Sequence, residues 1–281
     1  MVKNTPSSTL YLDHMGDDTA VVDAARVSFN KESVPLHTMA DFRLHEGKVD
    51  DIRKAKGLSP INYDARYDAW YGYVCDQFLI NAPALNFTDF KLIDFLARND
   101  HFTPFGHAVV KFRIKAPVFV ARQLVKHQIG LCWNEVSRRY VDTEPDFYPI
   151  DWRARPDKSI KQGSSSLSIR PEPLIFDAVP ADDPTGHVSI QINPEGFTEL
   201  ALALYLHLLN ENVSPELART VLPLNHMTEW VWTGSLLAWA RVANLRLDPH
   251  AQRETSEVAA GIALEMNQRF PVSWKALTQK G

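Results

Sequence analysis

In "VKFRIK", residues 110–115, apolar and basic positions alternate. Val110, Phe112 and Ile114 take one side and Lys111, Arg113 and Lys115 the other, which is the period of a half-exposed strand. Pro117 then suits the first turn of a helix running to about residue 128, with Val118, Ala121 and Val125 on its buried face. On that helix Arg122 and Lys126 stand four apart, as do Gln123 and His127, so the spacing aims four polar side chains at one region. Upstream, residues 10–29 read as a short strand, a turn at Gly16-Asp17-Asp18 and a helix ending near Phe29. A helical pattern covers 66–82. Another runs from Thr88, as N-cap, to Arg98, with Leu92, Ile93 and Leu96 on one face. Residues 30–65, polar and without period, read as a surface excursion.

In the second half, residues 151–196 are rich in Pro, Ser, Gly and Asp and read as a long loop or insertion. Helical segments are expected at about 197–212, 215–222, 229–245 and 249–268, with Ser214-Pro215 and Asp248-Pro249 as N-cap/N1 pairs. Val258, Ile262, Met266 and Phe270 form a core stripe on the last helix, and Trp230, Trp232 and Trp239 read as packing residues. No internal repeat is present. The pattern predicts an α+β fold, a single domain over 1–281 with a mixed or antiparallel sheet flanked by helices.

The formal net charge of −4 and pI near 6.2 argue against general nucleic-acid binding. Local positive charge at 122–139 is therefore suited to something small and anionic. Two cysteines, Cys75 and Cys132, cannot build a disulfide framework, and no metal-ligand cluster is visible, so no metal is expected. No signal peptide is evident at the N-terminus, and the longest apolar run, residues 200–209, is too short to cross a membrane. A reducing, cytoplasmic setting without membrane partners is expected. Phosphate-loop, dinucleotide-fold and nucleophile-elbow motifs are absent from the sequence.

The densest chemistry lies in "RQLVKHQIGLCWNEVSRRY", residues 122–140, which resembles the signature of the flavin-dependent thymidylate synthases. The likeness extends to "LYLDHMGDDTAVVDAARVSF" (10–29), "HFTPFGH" (101–107), "FYPIDWRARPDKSIKQGSS" and "ARTVLPLNHMTEWVWTGSLLAWARVANLRLDPHAQRE" (218–254). It implies methylation of dUMP at C5 with carbon from methylenetetrahydrofolate and FAD reduced by NADPH. It also implies a homotetramer with shared active sites. Carried onto this chain, the dUMP positions are Gln123, Lys126, Glu135, Ser137, Arg138, Arg139, Arg219 and Arg246. Arg139 and Arg219 fall at phosphate positions and Gln123 and Arg246 at the uracil edge. Arg246 and Ser137 take the catalytic positions, and the guanidinium would stabilise negative charge developing on the pyrimidine. Ser28, His101, Thr103, Lys126, His127, Gln128, Glu135 and Arg241 fall at flavin positions. Since the flavin supplies the hydride, Cys132 needs no catalytic role and reads as a buried or half-buried thiol. His107 and His250 fit capping or supporting roles as well as functional ones.

This chain departs from the family where the flavin would lie. Arg-His-Arg becomes Lys126-His127-Gln128, and the spacing from Gln128 to Ser137 is one residue longer. Ser235, Leu237 and Arg241 stand where the family keeps Asn, Arg and a further Asn or His. The dUMP half of the pattern is better kept than the flavin half. Two alternatives therefore stay open: a related pyrimidine-nucleotide hydroxymethylase on the same scaffold, or a dUMP-binding protein without catalysis.

Overall fold

Val110, Phe112 and Ile114 are fully buried while Arg113 is exposed, so the alternation makes the strand it predicts. The computed structural model describes residues 2–57, 65–158, 163–179 and 185–279. In chain order these form β1 (Ser8–Met15), α1 (Asp18–Arg26), α2 (Met39–Ala55), α3 (Ala65–Leu79), α4 (Phe87–Arg98), β2 (Val109–Pro117), α5 (Val118–Leu124) and β3 (Leu131–Glu135). The hairpin β4 (Leu174–Ala178) and β5 (Val188–Ile192) follows, then α6 (Pro194–Asn210), α7 (Pro215–Ala218), β6 (Met227–Ser235), α8 (Leu236–Arg246), α9 (Arg253–Arg269) and α10 (Pro271–Thr278). One sheet has the order β1-β2-β6-β3, and the other is the β4–β5 ladder, antiparallel with Phe176 opposite Ile190. The mixed α and β class expected from the sequence is the one observed.

The chain divides into two units. The first holds residues 1–12, 112–232 and 245–262. Phe147, Leu202, Tyr205, Ala218 and Leu222 make one core cluster within it. Trp133 of β3 stacks on buried Trp230 of β6, with ring centroids 4.3 Å apart. Helix α9 lies so close to β1 that a Cβ added at Gly261 would sit 2.9 Å from both Cβ and Oγ1 of Thr9. Thr9 Oγ1 in turn donates to the Val258 carbonyl at 3.4 Å.

The second unit holds residues 13–111, 233–244 and 263–281. Its aromatic cluster centres on Trp70, stacked on Phe42 at 4.8 Å, with Nε1 donating to the Leu85 carbonyl at 2.9 Å. Asp18, buried at the start of α1, accepts the backbone N–H groups of Val272 and Ser273, both at 2.9 Å, and so caps α10. Burial pushes the Asp18 carboxyl up to about 6, against the pull of those donors.

Several expectations need correction. Residues 30–65 contain α2, closed at its start by a capping box between Thr38 and Asp41. Phe42 is its one buried residue, so no apolar stripe betrays it. The N-cap of α4 is Asn86, whose Oδ1 accepts the Asp89 N–H at 3.0 Å, not Thr88. Residues 229–245 are a strand followed by a helix, because Trp230, Trp232 and Gly234 face inward with strand period. The 151–196 segment carries a hairpin and the start of α6, while 159–162 and 180–184 lie outside the described residues. Helix α9 starts at Arg253, so Asp248-Pro249 does not open it. Cys132 is exposed rather than buried. Ser214 and Pro215 do stand at N-cap and N1 of α7, the Val258–Phe270 stripe is buried, and all three named tryptophans pack inside.

Candidate functional site

Pro117 caps rather than enters α5, and the helix ends at Leu124, well short of residue 128. Its buried face is Val120, Ala121 and Leu124, with Val118 and Val125 half-buried. Because the chain leaves the helix before Lys126 and His127, the four polar side chains do not converge. Arg122 and Lys126 are exposed, whereas Gln123 and His127 are half-buried and meet groups from the far end of the chain.

That meeting is the best-built polar cluster of the first unit. Arg246, the last residue of α8, donates from Nε to His127 Nε2 at 3.0 Å and from Nη2 to the Gln123 carbonyl at 3.5 Å. Burial, then the Arg246 charge, holds His127 below the ordinary imidazole value, so at neutral pH the ring is uncharged and Nε2 can accept. Burial also lowers Arg246, though not enough to discharge a guanidinium. The Gln123 carboxamide is gripped at both ends: Nε2 donates to Gln252 Oε1, and Oε1 accepts from Thr255 Oγ1 at 3.2 Å. Ser256 Oγ donates to the Arg246 carbonyl at 2.7 Å, so the start of α9 supports both Gln123 and Arg246.

Gln123, Arg246 and Gln252 line a cavity of about 1130 Å³. Phe119, Trp152 and Phe197 give it apolar walls, and the hairpin adds Leu174 and Ile192. Glu254 and Arg153 also line it and form a buried ion pair at 2.7 Å. His250 stands on the cavity wall, exposed, as His107 is on the surface of the second unit.

A second polar group follows β3, which the Gly130 turn at φ 75° introduces. Arg139 donates from Nε to Glu216 Oε2 at 2.8 Å, and Arg219 from Nε to the Glu216 carbonyl at 3.2 Å. Both arginines are exposed and share one acidic residue, leaving guanidinium N–H groups on the surface. Ser137 Oγ accepts the Arg139 backbone N–H at 3.3 Å, while Arg138 turns to the Thr143 carbonyl at 2.8 Å. Glu135 is held by Thr228 Oγ1 at 2.7 Å and Trp133 Nε1 at 3.1 Å. Lys126 and Gln128 are exposed.

Four residues expected at a flavin lie in the second unit. Ser28 is exposed in the 3-10 turn Val27–Phe29, and Thr103 is exposed at the head of the turn Thr103–Gly106. His101 is exposed and meets the Phe95 ring edge-on at 5.7 Å. Arg241 shares a cavity of about 210 Å³ with Asp100 and Phe102, so it lies beside the segment carrying His101 and Thr103.

Gln252, Thr255 and the Arg153–Glu254 pair were not expected from the sequence. The available signal was a run of polar residues opening a helix whose next turn is apolar. Among the described residues no cluster of His, Cys, Asp and Glu is placed to hold a metal, and no helix is long and apolar enough to cross a membrane.

A family model described as thymidylate synthase complementing protein matches residues 11–272. A flavin-dependent thymidylate synthase of Kosmotoga olearia is 36% identical over 188 residues, covering 67% of this chain and 75% of that protein. One from Thermus thermophilus is 30% identical over 268 residues, covering 95% and 74%. Among solved structures, a UMP/dUMP methylase, PolB, from Streptomyces cacaoi bound with 5-Br dUMP superimposes with a TM-score of 0.60 at 23% identity. That match covers 99% of this chain and 97% of the other, and at this identity it speaks to the fold.

Proposed function

Because the chain belongs to the thymidylate synthase complementing protein family, with flavin-dependent thymidylate synthases among its matched relatives, we propose that it converts dUMP to dTMP. The carbon comes from methylenetetrahydrofolate: a bond forms between that carbon and C5, its bond to the folate nitrogen breaks to release tetrahydrofolate, and the C5 proton leaves. The observation that carries this reading is the cluster of Gln123, His127 and Arg246, two of which face a cavity large enough for a nucleotide.

Gln123 offers amide donor and acceptor groups to the uracil edge. Arg246, held by a neutral His127, keeps a positive charge beside the ring and stabilises the negative charge that develops as C5 becomes nucleophilic. Its partial burial removes some of the water around that charge, which strengthens the effect modestly. Arg139 and Arg219 take the phosphate with the N–H groups that Glu216 leaves open, Arg in planar geometry being the usual partner of such a group. Ser137, fixed next to Arg139, stands close to the pyrimidine, with Glu135 beside it; Arg138 and Lys126 add charge around the nucleotide.

Lys126 and Gln128 in the first unit, and separately Ser28, His101, Thr103 and Arg241 in the second, are exposed polar side chains of the kind that bind a flavin nucleotide. When bound and reduced by NADPH, FAD supplies the hydride that completes the methyl group. His127 belongs to both expected sets, and its bond to Arg246 ties the flavin side of the signature to the nucleotide side. A homotetramer with shared sites is part of the same proposal, supported by the exposed Leu10 and Leu12 on one face of β1.

The test is incubation of the protein with dUMP, methylenetetrahydrofolate, FAD and NADPH, followed by mass analysis of the nucleotide. A mass gain of one methylene unit (C5–H to C5–CH3) is expected, and Arg246→Ala should abolish it. A hydroxymethyl product, or binding without turnover, would refute the proposal.

A further inference from the structure

Thr255 is fully buried, yet its hydroxyl is not used in the way common for a helical threonine, which is to bond back to its own helix. It instead reaches the Gln123 side chain, whose Oε1 accepts the bond at 3.2 Å. A buried hydroxyl needs a partner, and valine would fill the same space without needing one. The polar atom therefore serves Gln123. Gln252, three residues earlier, takes the other end of the same carboxamide through its Oε1. A primary amide has two N–H donors and two lone pairs. With one of each committed to Gln252 and Thr255, one donor and one acceptor remain for a ligand in the cavity that Gln123 and Gln252 line. Thr255 does not itself line that cavity.

We propose that Thr255, together with Gln252, positions the Gln123 carboxamide, so that one N–H and one lone pair are presented together to the pyrimidine edge. The proposal rests on the reading of Gln123 as the uracil-facing residue. Thr255 acts through another side chain and is a positioning residue, not a catalytic one. Held at both ends, the amide does not have to be ordered when the nucleotide arrives, and that saving appears as affinity.

The experiment is a double-mutant cycle on dUMP binding by the full chain, with Thr255→Val, Thr255→Ser, Gln123→Ala and the Thr255→Val/Gln123→Ala pair. One neutral hydrogen bond converts to a loss of about two- to tenfold in dUMP affinity for Thr255→Val. Thr255→Ser, which keeps the hydroxyl, should stay within about twofold of wild type. In the Gln123→Ala background, Thr255→Val should cost nothing further, which a purely structural role would not produce. An equal loss in both backgrounds, or a serine variant as weak as the valine one, would overturn the proposal. If the wild-type protein itself fails to bind dUMP, the uracil reading of the cavity falls, and the proposal falls with it.

Discussion

Replacing His127 by alanine removes the imidazole that accepts from Arg246 Nε at 3.0 Å. A hydrogen bond to a charged group contributes about 1.5–3 kcal/mol, and losing a partner exposes the full desolvation cost of the other. Arg246 is only half-buried, so water can replace part of what is lost, and about 1–2 kcal/mol is the reasonable share. That corresponds to about a five- to thirtyfold weakening of dUMP binding, read by calorimetric titration. The same substitution in an Arg246→Ala background should add almost nothing, since the partner is already gone. The bond also has a pH signature. Burial and the Arg246 charge set the folded-state value of His127 below its ordinary one, so the acceptor is present above that range and lost as pH falls through it. The ratio of wild-type to His127→Ala affinity should therefore shrink toward one on acidification, and using the ratio cancels the titration of the nucleotide phosphate. An affinity within twofold of wild type at pH 7.5, or full additivity with Arg246→Ala, would refute the reasoning.

Asp18 gives a stability test: its folded value of about 6 lies above the ordinary 3.8, so its contribution is most favourable below about pH 4 and falls as pH rises to about 6. Unfolding free energies of wild type and Asp18→Asn should diverge across that window by about 3 kcal/mol, and parallel curves would refute the burial argument. Arg153→Ala leaves Glu254 buried and unpaired and should cost about 3–5 kcal/mol in chemical unfolding, whereas a cost under about 1 would mean the pair is not closed in solution. Glu216→Gln frees Arg139 from a half-exposed pair, so dUMP affinity should rise by no more than about fivefold while deoxyuridine affinity stays put. A fall in dUMP affinity would show that Glu216 helps hold the nucleotide.

What could be read from the sequence depended on whether burial left a period. Strand β2 was legible because one face is apolar and the other basic. Helix α2 was not, since a capping box and charged turns stabilise it with Phe42 alone buried. Strand β6 reads as helix from the sequence because tryptophans occupy two of its four buried positions and large aromatics suit either period. In the site, the reach from Gln123 to Thr255 spans 132 residues, which no spacing rule covers. Family resemblance singled out Gln123, His127 and Arg246 one by one, but the hydrogen bonds among them belong to the fold. The expected convergence of Arg122 and Lys126 with them failed because α5 stops at Leu124, before Lys126.

Gly261 gives the first unit a reference point that contains no functional group. Thr255 and Ser256 ride on a helix, with Gln252 just before it, that approaches β1 as closely as the hydrogen atom of Gly261 in place of a side chain allows. A single added carbon would press on Thr9 from 2.9 Å, so either Thr9 or the helix that carries the supports of Gln123 and Arg246 would have to shift. The fit of α9 against β1 thus depends on a missing methyl group at a position that does not itself line the cavity.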